Sequence, residues 1–329
     1  MSLPIQRPAE RTVALPKLNL YSIPRLERLL GFGRGDLWRV AANAGEYYSP
    51  FTKKEKLRPF QKKFKTRKPR QIDNPTGVLK VIQKNIYTRI LKRIPLPRNI
   101  MGGVKGRTIS ENARVHIGSR VLAKIDIRSF FPSITNLHVY RIWRDHLNCS
   151  PEIASLLTQL TTFERHLPQG APTSTYIANL VILFLDQQIR AETNRNATQY
   201  SGWVDDLAFS GDNPRPLINT AVRELAAAGF SVSRAKVEVM GPASQKILTG
   251  TRLGNFPRAE PRQLARVRSG IHKLRTGAVP RHEVDDYVRS LEGKIAHVAS
   301  IDLRKAERLS DDLRSATKAA RLDAEGQCI

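Results

Sequence analysis

Gly202-Trp203-Val204-Asp205-Asp206-Leu207-Ala208-Phe209-Ser210 places two adjacent carboxylates inside an otherwise apolar run, with Gly202 and Gly211 on either side. Apolar β-formers flanking a short polar turn read as a β-hairpin whose tip carries the acids. Successive strand side chains point to opposite faces, but at a turn two neighbouring carboxylates can converge on one cation. A hard divalent cation with oxygen ligands makes such a pair tolerable. The ordinary alternative is a solvated turn, since Asp is a favoured turn residue. A third acid upstream decides between them.

That acid is Asp126, at the end of Val121-Leu122-Ala123-Lys124-Ile125-Asp126 and followed by Ile127-Arg128-Ser129-Phe130-Phe131-Pro132-Ser133-Ile134. The apolar, β-prone run suggests a strand that delivers Asp126 at its C-terminal edge. Alone it could be a strand-terminating cap. Together, three carboxylates on two strands supply the oxygen ligands of a two-magnesium phosphoryl-transfer site.

Composition sets the partner. A formal charge of +26 over 329 residues, with a pI near 10.6, suits a protein that tracks phosphates rather than an enzyme of small metabolites. The length and apolar content argue against a small basic scaffold protein, and the chain is long enough for two or three subdomains around a cleft. Cys149 and Cys328 stand far apart, so neither a disulfide framework nor a zinc site is expected. No apolar leader or membrane-length run is present, and a cytoplasmic protein with no membrane partner is expected.

Along the chain, residues 1–20 show no period and read as an extended or disordered arm. Short packing helices are expected from Ile23 to about Gly31 and from Leu37 to Ala44. Between Lys53 and Arg70 lie ten Lys or Arg and a single acid, Glu55, interleaved with Phe60 and Phe64. Val78 to Ile94 carries a helical apolar stripe with basic residues outside it. Ser110 to Ile117 reads as a helix capped by Ser110, and Leu137 to Phe163 as a helical stretch. A long helix from Tyr176 to Arg190 opens after Leu167-Pro168-Gln169-Gly170-Ala171-Pro172-Thr173-Ser174. Leu217 to Ala228 is an amphipathic helix closed by Gly229, and Phe230-Ser231-Val232 begins another strand. Three basic helices follow, over Leu264–Leu274, Val284–Ala299 and Leu303–Leu322.

These segments carry a family resemblance in their order. Arg70-Gln71-Ile72 to Pro75 with Leu79-Lys80 and Gln83, Gly103 to Arg107, Asp126 to Ile134, Leu167 to Ser174, Trp203 to Asp206, Gly229-Phe230 to Lys236, and Leu248-Thr249-Gly250 resemble the motifs of reverse transcriptases over residues 40–300. Asn112-Ala113-Arg114-Val115-His116 and Leu248-Thr249-Gly250 are similar to elements of the bacterial retron enzymes, with group II intron reverse transcriptases as neighbours.

The resemblance implies an α+β right-hand polymerase. Its parts are an N-terminal arm and helices (1–45), fingers with an RNA-contact element (46–120), and a palm with a mainly antiparallel sheet (121–255, including fingers–palm helices 137–190). A helical thumb follows (256–329). It implies catalytic Asp126, Asp205 and Asp206, which with the Ile127 backbone hold two Mg2+ ions, Mn2+ being a substitute. Arg70, with Lys68 as a competitor, would clamp the triphosphate in a guanidinium fork. Phe131 would collide with a ribose hydroxyl and select deoxynucleotides. Gln169 and Gly170 would meet the nucleotide and templating pair, and Lys236 the phosphates. Asn112, His116, Thr249 and Gly250 would contact RNA, although a buried packing role is the ordinary one for a lone histidine.

The implied reaction is RNA-templated DNA synthesis on a cognate structured non-coding RNA, from deoxynucleoside triphosphates, started at a guanosine 2′-hydroxyl, with a toxin or effector partner in phage defence. The alternatives are another prokaryotic reverse transcriptase (intron, abortive-infection or diversity-generating) and an inactive RNA-binding protein. Trp203 stands where Tyr is usual, Val204 for Ala, Thr175 for Pro, Ser233 for Asn and Leu248 for Val; all three carboxylates are kept.

Overall fold

Gly31, in the left-handed conformation at φ 78°, ends the first helix by donating to the carbonyls of Glu27 and Arg28; a residue with Cβ is disfavoured there. The structure, a computed structural model, describes residues 15–53, 69–195, 198–233 and 236–325. Part of the expected N-terminal arm, residues 1–14, lies outside them, as does most of the basic run with Lys68. Residues 15–22 are irregular but anchored: Leu20 is buried, and the backbone of Leu18 and Leu20 bonds to Leu147 and Ser150.

Helices α1 (Ile23–Leu30) and α2 (Asp36–Ala42) precede an antiparallel pair, β1 (Tyr48–Lys53) with β2 (Arg70–Pro75). Helix α3 (Gly77–Arg89) buries Leu79, Ile82, Gln83 and Ile86. Helix α4 (Ile109–Val115) is capped two residues earlier than its sequence suggests. Thr108, not Ser110, is its cap, bonding the Glu111 N–H while the Glu111 carboxylate returns to the Thr108 N–H in a capping box.

Next come β3 (Val121–Asp126), α5 (Phe130–Ser133), α6 (Asn136–Arg141), α7 (Pro151–Thr161), α8 (Ser174–Leu185) and α9 (Gln187–Arg195). The stretch expected to be helical from Leu137 to Phe163 is broken in the middle. After a π-turn at Ile142–His146, Asn148 adopts φ 58° and Ser150 caps a new helix whose first residue is Pro151, a residue that cannot continue the preceding one.

Strands β4 (Gln199–Trp203) and β5 (Asp206–Gly211), helix α10 (Arg215–Ala227) and strand β6 (Glu238–Met240) complete a four-stranded antiparallel sheet in the order β4-β5-β3-β6. The strand expected at Phe230–Val232 is only a single bridge, Val232 to Ile127; pairing resumes at Glu238. One apolar core runs from α1 through α10 and contains Trp143, Phe209 and the inner face of α8.

A small sheet of β7 (Ile247–Leu248), β8 (Thr251–Arg252) and β9 (Arg258–Ala259) leads to α11 (Pro261–Arg275), α12 (Val284–Ala299) and α13 (Leu303–Glu325). These three helices close a separate core around Leu264, Val267, Ile271, Leu291, Ile295, Leu309 and Leu313, the stripes that helical periodicity predicts.

Candidate active site

Strands β3 and β5 pair with Asp126 directly opposite Asp206, so both side chains lie on one face of the sheet, with Cβ atoms roughly 5 Å apart. Asp205 occupies the two-residue turn between β4 and β5, and its carbonyl accepts from the Ile127 N–H at 3.0 Å. Acids 79 positions apart in the sequence thus share one rim. Burial raises the pKa of Asp206 to about 6, helped by the charges of Asp205 and Asp126. Asp205 is raised too, again first by burial and then by Asp126.

The turn is held from several sides. Val204 sits at φ 59°, which is strained for a β-branched residue. Residues 99–101 run beside β4 as an extra parallel edge: the Gly202 N–H donates to the Asn99 carbonyl and the Met101 N–H to the Gly202 carbonyl, both at 2.7 Å. Gly102 follows, and a Cβ there would lie 2.6 Å from Val204 Cγ2 and 2.7 Å from Val204 N. Its carbonyl accepts from Asn179 Nδ2 on α8 at 2.8 Å. Asp186, fully buried, accepts from Asn99 Nδ2 at 2.8 Å and pairs with Arg190 at 3.0 Å. The Arg107 guanidinium binds the carbonyls of Leu96, Pro97 and Ile100. The basic glycine loop is therefore the back wall of the acid turn. Asn99, Gly102, Asn179 and Arg107 were not singled out as site residues; the Gly102-Gly103 pair was the available signal.

Hard oxygen donors, mutual repulsion and raised pKa values fit a divalent cation. Lys236 supplies the counter-charge here, its Nζ 2.6 Å from Asp126 Oδ2, and with its side chain 59% exposed it is free to swing aside. Among the described residues no three acid, histidine or cysteine side chains converge as a preformed set of metal ligands.

A family model described as reverse transcriptase (RNA-dependent DNA polymerase) matches residues 53–253. The chain belongs to the reverse transcriptase family. Similar curated proteins are the retron Mx65 reverse transcriptase of Myxococcus xanthus, 30% identical over 73% of this chain and 60% of that protein, and the retron Se72 reverse transcriptase of Salmonella heidelberg, 35% identical over 45% and 39%. The retron Ec86 reverse transcriptase of Escherichia coli is 26% identical over 76% and 77%. The chain thus spans less than two thirds of the length of the first two. A telomerase structure from Candida albicans, in complex with a fragment of telomeric RNA, matches at TM-score 0.44 and 9% identity over 87% of this chain and 62% of that one, too distant to add weight. The family has a right-hand polymerase fold of mixed α and β structure and requires a divalent metal ion, generally Mg2+.

The remaining reverse transcriptase positions are distributed as follows. Arg70 is exposed at the start of β2, and its charge acts on Asp205. Gln169 and exposed Gly170 pack on β2: the Gln169 carbonyl accepts from the Asp73 N–H at 2.9 Å, and Gly170, at φ 125°, lies against Ile72. Half-buried Phe131 follows Ser129, itself at φ 49°. Thr249 and Gly250, at φ 45° and 77°, form the tip between β7 and β8, and the tip rests against Gln263 of α11.

The RNA contact expected of Asn112 and His116 does not follow from their positions. His116 is 0% exposed, with Nδ1 2.7 Å from Ser210 Oγ and Nε2 2.8 Å from Ser201 Oγ, and burial lowers its pKa to about 4. It ties α4 to the back of β4 and β5. Asn112 is buried as well, and α4 packs on β8, which brings the two retron-like elements into one neighbourhood.

Proposed function

We propose that this protein is the RNA-directed DNA polymerase of a retron, copying part of a cognate structured RNA into single-stranded DNA. The observation that carries the reading is the pairing of Asp126 with Asp206 beside Asp205, on one rim of the β3–β5 ladder. Asp126, Asp205, Asp206 and the Ile127 backbone would hold two Mg2+ ions. Bound there, the ions would make a hydroxyl nucleophilic and neutralise the departing pyrophosphate.

This chain's residues would place the substrate. Arg70 and a displaced Lys236 would bind triphosphate oxygens, Gln169 and Gly170 would meet the base pair, and Phe131 would stand where a ribose 2′-hydroxyl would be. The primer hydroxyl oxygen would bond to the α-phosphorus as the α–β bridging bond breaks, releasing pyrophosphate. The first primer would be a guanosine 2′-hydroxyl of the cognate RNA, in a phage-defence system with a toxin or effector partner. Residues 46–120 would act as fingers, 121–255 as palm and 256–329 as thumb. Thr249 and Gly250 are the RNA contacts that remain, and the basic face of α11 would follow phosphates without reading sequence.

The test is extension on the RNA encoded beside the gene. Mg2+-dependent DNA synthesis covalently joined to that RNA is expected, and Phe131→Ala should admit ribonucleotides. Synthesis from any primed RNA without preference for the neighbouring one would replace the retron with another reverse transcriptase; no synthesis at all would leave an RNA-binding protein.

A further inference from the structure

Strand β2 hides one acid. Arg70 and Gln71 are exposed and Ile72 half-buried, yet Asp73 is only 3% exposed, and a carboxylate so far from water needs partners. Its partners come from the segment that carries Gln169 and Gly170. Oδ2 lies 3.4 Å from the Gln169 N–H and 3.3 Å from His166 Nε2, Oδ1 accepts from Gln71 Nε2 at 3.3 Å, and the Asp73 N–H donates to the Gln169 carbonyl at 2.9 Å. Residues 73 and 169 thus grip each other twice, once through main chain and once through the carboxylate.

His166 arrives on a strained turn. Phe163 and His166 exchange both backbone hydrogen bonds at 2.9 Å, and the two residues between them, Glu164 and Arg165, sit at φ 46° and 64°. Neither is glycine, and such strain persists where the surroundings over-determine it. The other ring nitrogen, Nδ1, faces the Glu164 carbonyl at 3.2 Å. Acceptors therefore stand at both ring nitrogens, so the ring is held from two sides. On the strand's other face Ile72 is so close to the loop that a Cβ on Gly170 would come 2.9 Å from its Cγ2.

We propose that Asp73, with His166 as its counterpart, is a positioning residue that locks the Gln169–Gly170 loop to the strand carrying Arg70, so that base-pair and triphosphate contacts form one rigid nucleotide seat. The proposal rests on the polymerase reading above. Removing the carboxylate leaves the acids and the RNA surface in place but lets the seat open, so the affected quantity is nucleotide binding.

With the full chain and its RNA, Asp73→Ala should raise KM for deoxynucleoside triphosphates by roughly tenfold to a hundredfold, the worth of a charge-assisted hydrogen bond. Within a factor of about three, kcat and the KM for RNA should be unchanged. Asp73→Asn, which keeps an acceptor for the Gln169 N–H, should recover most of the loss, and His166→Ala should show a smaller rise. Amide exchange over residues 163–170 should speed up in Asp73→Ala while that of 303–320 stays as it was. An unchanged nucleotide KM in an active protein, or an equal loss in kcat and RNA binding with lower thermal stability, overturns the proposal while the polymerase reading stands. If Asp73→Ala fails to fold, His166→Ala carries the KM test, and an unchanged nucleotide KM in that variant overturns the proposal. Wild-type protein that makes no DNA removes the polymerase reading and this inference together.

Discussion

At the turn between β4 and β5, half-buried carboxylates are held by residues 99–102, by α8 and by the end of β3, whereas α11, α12 and α13 hold one another by an apolar stripe apiece. In the helical unit the charges stay in water, as in the exposed pairs Arg289–Asp286 at 2.8 Å and Arg314–Asp311 at 2.7 Å, each worth a few tenths of a kcal/mol. The difference teaches where specificity resides. The helices are stabilised by their own pattern, but the acid turn is destabilising by itself and persists because distant segments close around it.

The largest expected effect falls on the turn. Asp205→Asn with Asp206→Asn should lower DNA synthesis by on the order of a thousandfold or more, while RNA binding in a filter or mobility-shift assay stays within a few-fold of wild type. Full activity of that double variant would end the assignment of the site. Gly102→Ala should come next: its Cβ drives into Val204, so activity should fall roughly tenfold to a hundredfold and stability by about 1–3 kcal/mol. A Gly102→Ala protein with normal extension kinetics would show that the 99–102 wall is not needed.

The third test uses pH. Asp206 has its folded pKa raised to about 6 from an ordinary value of 3.8, so between those values the native state binds more protons than the unfolded chain. This contribution to the stability of metal-free protein is therefore lost as pH rises from about 4 to 6. Asp206→Asn should flatten that fall and raise the melting temperature at pH 7, and Mg2+ should reverse the wild-type deficit. Melting curves with chelator, with and without the substitution, provide the check; identical pH profiles would remove the electrostatic account.

The smallest effect is expected in the helical unit, and with the opposite sign. Gly293 lies inside α12 with open space around its Cα, so Gly293→Ala should stabilise by about 0.5–1 kcal/mol. Destabilisation on thermal melting would break the contrast. Gly270 of α11 marks the boundary: a Cβ there would come 2.5 Å from Leu291, so the same substitution should cost stability.

Much of the fold could be read from residue patterns. The predicted Val284–Ala299 helix matches α12, because a helical stripe is a local property that survives burial. Boundaries slipped where a side chain reaches back, as at Thr108, or where Pro151 restarts a helix. The three acids could be read because carboxylates in apolar strands demand a reason. Asn112 and His116 could not be placed as surface or core, since their exposure depends on β4, β5 and β8 covering them. Nor did Asp73 stand out: an acid on a strand that follows a basic run looks solvated until the 163–170 segment is laid over it.

The sequence by itself determined most of the helices and the strands that bear the acids, the polyanionic partner implied by +26 charges, and the three carboxylates on which the proposed phosphoryl chemistry rests. Only the tertiary structure decided that Asp126 faces Asp206, that Gly102 must lack a side chain, and that His116 is a strut. The physical reason is range. Periodicity and charge act within a few residues or over the whole molecule, while register and close backbone approach join residues tens of positions apart and leave no local mark.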